Sequence, residues 1–149
     1  MSPASRRLRA LIVDEGSAAR QSLVPLLAAT GLVEVGGVVG RVAQALEALR
    51  DDAVDVVFLE IRLPGGENGL DVIRGLPDER RRPVFVITTG LDREVLSGFA
   101  LGAVDYLLKP VSRARLERSL QRVGAIVAAL RMDGSERSGE MIPRRGTAS

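Results

Sequence analysis

Five short apolar runs alternate with five longer segments whose apolar residues recur at helical spacing, and this alternation constrains the fold most strongly. Strict strand–helix alternation is typical of a parallel sheet covered by helices on both faces. The predicted strands are residues 8–13, 33–39, 55–59, 83–88 and 104–108. The predicted helices are residues 17–30, 41–50, 69–76, 92–101 and 112–131. We therefore predict an α/β, doubly wound (βα)5 three-layer sandwich.

The composition excludes several classes of chemistry. The chain has no Cys and no His, which removes disulfides, thiolate metal sites and the usual general base. A metal would need oxygen ligands, as Mg²⁺, Mn²⁺ and Ca²⁺ do. No apolar run is long enough to cross a bilayer, so we expect a cytoplasmic location and no membrane contact. The net charge of +2 gives little reason to expect direct nucleic-acid binding.

A single domain is expected for 149 residues. We predict a frayed N-terminus over 1–7, the domain over 8–131, and a disordered Gly-, Ser-, Arg- and Glu-rich tail over 132–149. Ser17 is the expected N-cap of the first helix, and Pro25 is expected to kink that helix.

Polar side chains stand where four of the predicted strands end. Asp14 and Glu15 follow the first strand, Glu60 the third, Thr89 the fourth and Lys109 the fifth. If the sheet order is 2-1-3-4-5, these residues meet at one edge, around the switch point where ligands bind. Lys109 is the only lysine in a chain rich in arginine, which indicates a site that needs a compact ammonium.

The motifs at these positions resemble those of the response-regulator receiver domain of two-component signalling, over about residues 8–130. They read L-I-V-D-E, V-F-L-E-I-R-L-P-G, V-I-T-T-G and G-A-V-D-Y-L-L-K-P. The last stretch is most similar to receivers that precede LytTR-type DNA-binding domains. The resemblance implies the flavodoxin-like fold with sheet order 2-1-3-4-5.

The resemblance also implies roles for individual residues. Receivers take a phosphoryl group from a phosphohistidine of a partner kinase onto an aspartate, with Mg²⁺ bound nearby. The metal ligands would be Asp14, Glu15, Glu60 and the backbone carbonyl of Arg62. The phosphate pocket and switch would be formed by Thr89, Tyr106, Lys109 and Pro110. In this scheme Lys109 neutralises the phosphoryl oxygens, Thr89 hydrogen-bonds them, and the ring of Tyr106 changes rotamer on activation.

The chain departs from the receiver pattern at the acceptor, where Glu60 stands in place of Asp. A shift of about 1 Å can cost on the order of 100-fold in a positioned reaction. The loop P-G-G-E-N-G is also one residue longer than is usual in receivers. Three interpretations of Glu60 remain open: a mimic of phospho-aspartate, a lost acceptor in a domain kept for contacts, or a poor but real acceptor.

We therefore predict an atypical (pseudo-)receiver that is not an enzyme and acts through protein contacts without phosphorylation. The alternative is a Mg²⁺-dependent phospho-accepting response regulator, and a more distant one is a small FMN-binding protein. The expected partner is a signalling protein, either a histidine kinase or a downstream effector. A homodimer contact through residues 92–131 is a further expectation, as is weak Mg²⁺ binding.

Overall fold

The structure, a computed structural model, describes residues 6–50, 53–77, 82–90 and 95–140, with side chains described up to Met132. The strands are β1 (Leu8–Val13), β2 (Val33–Val39), β3 (Val56–Leu59), β4 (Val84–Thr89) and β5 (Asp105–Leu108). The helices are α1 (Gly16–Gln21), α2 (Leu23–Thr30), α3 (Val42–Ala48), α4 (Leu70–Arg74), α5 (Val95–Ala100) and α6 (Arg113–Glu140). A 3-10 turn, Pro64–Gly66, lies between β3 and α4.

All neighbouring strands of the sheet pair in parallel, and their order is β2-β1-β3-β4-β5. The predicted fold class and strand order are therefore confirmed. The central strand β3 is buried along its whole length, as expected of an apolar run covered on both faces. The register between β1 and β2 shifts after Ala10, where Gly36 is passed over and Leu11 pairs with Gly37.

Two aliphatic cores cover the two faces of the sheet. Inward residues of α1, α2 and α6 pack on one face, around the fully buried Phe58. Residues of α3 and α4 pack on the other face, around Leu59 and Ile87. Adjacent residues of β3 belong to opposite cores because side chains alternate along a strand. The carboxyl ends of β1, β3, β4 and β5 consequently open at the same edge.

The first predicted helix is in fact two helices. Ser22 separates α1 from α2 with a non-helical backbone (φ −121°, ψ −65°), three residues before Pro25. The kink predicted at Pro25 is therefore a complete break between two helices. The ring and the missing N–H of Pro25 disfavour a continuous helix through this segment. Ser17 was the wrong N-cap, because the side chain of Glu15 accepts the hydrogen bond from the backbone N–H of Ala18.

The last helix is longer than predicted, since α6 continues to Glu140 and not only to about Arg131. It therefore includes the first nine residues of the predicted tail 132–149, whereas residues 141–149 lie outside the described part of the chain. Residues 1–5 of the predicted frayed N-terminus and the predicted start of α5 at Asp92 also lie outside it. Among the described residues, no helix combines the length and apolar character that crossing a bilayer requires.

Candidate functional site

Two acids and the single lysine meet at the carboxyl edge of the sheet. The ammonium of Lys109, directly after β5, donates to Oδ2 of Asp14 at 2.7 Å and to Oε1 of Glu60 at 2.8 Å. Asp14 and Glu60 are 4% and 8% exposed, and the lysine side chain is 33% exposed. Strand order explains the meeting, because β1 and β3 are adjacent and β5 ends at the same edge of the sheet, two strands from β3.

Glu60 is held at both of its carboxylate oxygens. While Oε1 accepts from Lys109, Oε2 accepts from the backbone N–H of Ile61 at 2.7 Å and of Arg62 at 3.4 Å. The backbone N–H of Glu60 donates to the carbonyl of Val13 at 2.8 Å. The carboxylate therefore has a fixed position, and both of its oxygens accept hydrogen bonds.

Gly69 supports the backbone of Glu60 from the loop side. Its N–H donates to the carbonyl of Ile61 at 2.6 Å, and its Cα faces the carbonyl of Glu60 so closely that a Cβ would overlap the oxygen. Only glycine permits this approach of two backbones. The sequence pattern placed Gly69 at the start of a helix, and the structure shows that it also fixes the loop beside the acids.

Lys109 remains protonated at neutral pH. Partial burial would lower the pKa of its ammonium, but hydrogen bonds and charges from Asp14 and Glu60 raise the pKa above its ordinary value of 10.5. The lysine thus acts as a fixed cation between two buried carboxylates. Removing it would leave two like charges facing each other at the edge of the sheet.

The two residues of the predicted acid pair, Asp14 and Glu15, make different contacts. Asp14 faces Lys109 and also accepts from the N–H of Glu15 at 2.7 Å. The carboxylate of Glu15 instead accepts from the N–H of Ala18 at 2.8 Å and caps α1. Within the described residues, no group of three acidic side chains is arranged to hold a metal ion. Mg²⁺ binding by Asp14, Glu15, Glu60 and the backbone carbonyl of Arg62 stays a prediction.

Two threonines end β4 and face opposite sides of the sheet. Thr89, the predicted pocket hydroxyl, is 1% exposed, and its carbonyl accepts from the N–H of Lys109 at 2.9 Å. Alternation along the strand places Thr88 on the same face as Val86, the face to which Asp14 and Glu60 also belong. The hydroxyl of Thr88 is buried and has no hydrogen-bond partner among the described residues. Thr88 is therefore a second candidate for the hydroxyl of this site.

The long loop after β3 is tied to the start of α3 by Glu67, a residue that the sequence did not single out. Its Oε1 accepts from the N–H of Val42 at 2.7 Å, and its Oε2 pairs with Arg41 at 2.9 Å. The hydrogen bonds from Arg41 and Val42 lower the pKa of Glu67. The loop lines an open cavity of about 380 Å³, formed by residues 61–63 and 66–68. Only the extra loop residue signalled that this segment would be unusual.

Tyr106 stands apart from the acids, on the α5–β5–α6 side of the sheet. Its ring lies edge-on to that of Phe99, with centroids 6.1 Å apart, and the guanidinium of Arg115 lies 5.8 Å from its centroid. Arg115 also pairs with Asp105 at 2.7 Å and donates to the carbonyl of Tyr106 at 2.8 Å. Burial alone would raise the pKa of Asp105, but hydrogen bonds, chiefly from Arg115, lower it overall. Pro110 follows Lys109 through a cis peptide bond.

Comparison with known proteins agrees with this geometry. Residues 10–121 match the family model of the response regulator receiver domain. The chain is 33% identical over 141 residues to the transcriptional regulatory protein BtsR of Salmonella typhi, covering 95% of this chain and 55% of that protein. It is 36% identical over 115 residues to the sensory transduction protein LytT of Bacillus cereus, covering 77% and 46%. The chain thus spans about half the length of the curated relatives it matches.

Solved structures give the same result. The response regulatory domain of protein mrkE from Klebsiella pneumoniae superposes with a TM-score of 0.72 at 25% identity, covering 82% of this chain and 99% of that one. The receiver domain of a sensor histidine kinase from Pseudomonas aeruginosa, solved with a magnesium ion in its active-site cleft, superposes with a TM-score of 0.65 at 25% identity, covering 80% and 99%. The chain therefore belongs to the response regulator receiver domain family, a family of signalling modules.

Proposed function

We propose that this receiver works as a pseudo-receiver, which signals through protein contacts without being phosphorylated. The observation that carries the proposal is the double pairing of Lys109 with Glu60 and Asp14, at 2.8 and 2.7 Å. In receivers the lysine neutralises the incoming phosphoryl group. In this chain a carboxylate oxygen of Glu60 already pairs with the ammonium of Lys109.

The bonding of Glu60 opposes its use as a phosphoryl acceptor. Phosphoryl transfer depends on positioning and charge neutralisation, so the attacking oxygen must be free to face phosphorus. One oxygen of Glu60 is bonded to an ammonium and the other to two backbone N–H groups. The additional methylene moves the carboxylate by about 1 Å, enough to cost on the order of 100-fold. The diversion of Glu15 to the cap of α1 further weakens any metal-assisted reaction.

Of the two non-phosphorylated interpretations, we favour mimicry of phospho-aspartate over simple loss of the acceptor. A lost acceptor needs no particular geometry, whereas Glu60 extends a buried carboxylate to Lys109 and keeps the pocket charged. Its longer side chain brings an oxygen toward the place that an aspartyl phosphate would occupy. The pairing therefore supports an active-like state that does not depend on a kinase.

The contact surface we propose lies on the α5–β5–α6 side, within residues 92–131. Leu96 is 77% exposed, Leu108 42% and Phe99 38%, and the ring of Phe99 lies edge-on to that of Tyr106. Contiguous exposed apolar side chains mark protein interaction sites. The proposed partner is a histidine kinase, a downstream effector or a second copy of the chain, in the cytoplasm, without direct contact to nucleic acid or membrane.

The alternative function is that of a Mg²⁺-dependent phospho-accepting regulator. It is supported by family membership and by the magnesium ion in the cleft of the similar Pseudomonas aeruginosa receiver. In this case Lys109 would have to leave both carboxylates before metal and phosphoryl group enter. Weak Mg²⁺ affinity is therefore common to both candidate functions.

Backbone amide chemical shifts of the α5–β5–α6 face test the proposal. Three proteins are compared: wild type, Glu60→Gln, and Glu60→Asp with and without Mg²⁺ and beryllofluoride, a stable analogue of the phosphoryl group. Mimicry predicts that wild-type shifts near Tyr106 match those of Glu60→Asp with beryllofluoride, and that Glu60→Gln moves away from them. Wild-type shifts equal to those of Glu60→Gln would instead show that Glu60 is a lost acceptor.

A further inference from the structure

The loop between β3 and α4 folds back on itself as a short hairpin. Backbone contacts join its outgoing arm, residues 61–63, to its returning arm, residues 67–69. The N–H of Leu63 donates to the carbonyl of Glu67 at 3.0 Å, and the bond from the N–H of Gly69 closes the other end. Between these two bonds the arms form an antiparallel bridge. Because the arms are joined at three successive positions, a displacement of one arm displaces the other.

The tip of this loop hairpin turns on two glycines. Gly65 and Gly66 have φ of 78° and 79°, a left-handed conformation that residues with a side chain rarely adopt. Pro64 begins the turn, and all three residues are exposed. The tip therefore lies in solvent, and the arms line the open cavity of about 380 Å³. Since one side of the hairpin faces open space, polar contacts set where it lies.

The carboxylate of Glu67 joins the loop hairpin to α3. It accepts from the backbone N–H of Val42 at 2.7 Å and from the guanidinium of Arg41 at 2.9 Å. Val42 is the first residue of α3, where backbone N–H groups lack acceptors within the helix. Arg41 occupies the N-cap position, yet its side chain bonds to Glu67 and not to the helix. A residue 25 positions further along the chain therefore caps α3.

The loop hairpin in turn holds Glu60. The N–H groups of Ile61 and Arg62, on the outgoing arm, donate to Oε2 of Glu60 at 2.7 and 3.4 Å. The other carboxylate oxygen, Oε1, accepts from the ammonium of Lys109. The direction in which Oε1 points toward the lysine consequently depends on where the outgoing arm lies. That arm is joined to the arm that carries Glu67.

We propose that Glu67 is a positioning residue for Glu60, acting through the loop hairpin that it fastens to α3. In this role Glu67 fixes the N–H groups that hold Oε2 and thereby the pairing of Oε1 with Lys109. The inference goes beyond the proposed function, because it concerns how the carboxylate of Glu60 is held. It applies whether Glu60 mimics phospho-aspartate or accepts a phosphoryl group poorly. A simple helix cap would stabilise the start of α3 and leave the outgoing arm unchanged.

Amide hydrogen exchange measured by NMR distinguishes positioning from capping. In Glu67→Ala we expect exchange at both Val42 and Ile61 to accelerate about tenfold, because two hydrogen bonds to a charged acceptor are lost. Both rates are taken relative to exchange at Ile12, which is fully buried in β1 and reports global stability. Faster relative exchange at Val42 with unchanged relative exchange at Ile61 would show that Glu67 only caps α3, and would overturn the proposal.

Two further variants complete the exchange experiment. Glu67→Gln keeps a side-chain oxygen for the N–H of Val42, so it should restore most of the protection at Val42 and at Ile61. Glu47→Ala is the matched control, because this glutamate also belongs to α3 but is 73% exposed and pairs with Arg50 at the surface. Exchange at Ile61 that accelerates as much in Glu47→Ala as in Glu67→Ala would contradict a specific role for Glu67.

The side-chain carboxyl carbon of Glu60 gives a second readout. Its ¹³C chemical shift, assigned by its absence in Glu60→Gln, should change in Glu67→Ala, return toward the wild-type value in Glu67→Gln and stay unchanged in Glu47→Ala. An identical Glu60 signal in wild type and Glu67→Ala would contradict the proposal. Neither experiment measures phosphorylation, so a wild type that accepts a phosphoryl group would overturn the proposed function and leave these outcomes as they are.

Discussion

The ammonium of Lys109 lies 2.8 Å from a carboxylate oxygen of Glu60, the residue that we propose stands where receivers have the phospho-accepting aspartate. This contact joins the end of β5 to the end of β3, and Asp14 extends it to β1. The lysine thus holds together three strand ends that would otherwise bring two buried carboxylates face to face.

Replacing the lysine should destabilise the fold. Lys109→Met leaves Asp14 and Glu60 facing each other without a cation, so we expect a loss of about 1–2 kcal/mol in the free energy of unfolding, allowing for solvent screening. Urea denaturation measures the loss. Arg50→Met is the matched control, because that cation is 74% exposed and its pair with Glu47 lies at the surface. A Lys109→Met variant as stable as the control would show that the pairing contributes nothing.

The same pair should respond to alkaline pH. The folded protein raises the pKa of Lys109 above 10.5, so its contribution to stability is complete below that pH and is lost as pH rises through the folded-state pKa. The stability difference between wild type and Lys109→Met should therefore shrink only above pH 10.5. Because the chain has no other lysine, the difference isolates this group. If the stability difference between wild type and Lys109→Met stayed constant up to strongly alkaline pH, the raised pKa of Lys109 would be contradicted.

Divalent-ion binding should be weak and should improve when the lysine is removed. In the wild type, Mg²⁺ must displace the ammonium from Asp14 and Glu60. In Lys109→Met the two carboxylates are left without a cation, so we expect Mg²⁺ to bind about tenfold or more tightly. Isothermal titration calorimetry measures both affinities. Absence of any binding to the wild type at millimolar Mg²⁺, or weaker binding to the variant, would be the contradicting result.

Any side chain at Gly69, in the loop beside Glu60, should destabilise the fold. A Cβ at Gly69 would overlap the carbonyl oxygen of Glu60, so Gly69→Ala must displace one backbone or the other. We expect a loss of about 2–3 kcal/mol in unfolding free energy, the upper part of the range for point substitutions. Gly90→Ala is the control, because no atom of the described residues, its chain neighbours aside, lies within 4 Å of its Cβ position. Equal stability of the two variants would mean that the loop moves freely.

The parallel sheet and the meeting of Asp14, Glu60 and Lys109 could be predicted from the sequence. Apolar runs of strand length mark β1 to β5, and alternation with helices fixes a parallel sheet because connections must cross over. Once the strand order is known, the residues after β1, β3 and β5 must share an edge. Asp14, Glu60 and Lys109 could therefore be brought together without coordinates, and the structure confirms that they meet.

Local competition for hydrogen bonds was not accessible from the sequence. Glu15 follows Asp14 as a metal ligand would, yet its carboxylate satisfies the N–H of Ala18, since the first N–H groups of a helix lack internal partners. Glu67, in the unusually long loop after β3, accepts in the same way from the backbone N–H of Val42 at the start of α3. Arg115 is placed over Tyr106 by its pairing with Asp105. Such choices depend on rotamers and neighbours that periodicity does not encode.

The most direct test of the central claim is intact mass after incubation with Mg²⁺ and acetyl phosphate, for wild type beside Glu60→Asp and Glu60→Gln. The claim is that the pocket keeps receiver geometry around Lys109 and that Glu60 is the residue that chiefly prevents phosphotransfer. It predicts that Glu60→Asp gains one phosphoryl group while wild type and Glu60→Gln gain none. A wild type that gains the phosphoryl mass, with the gain lost in Glu60→Gln, would contradict the claim and restore an ordinary phosphoswitch.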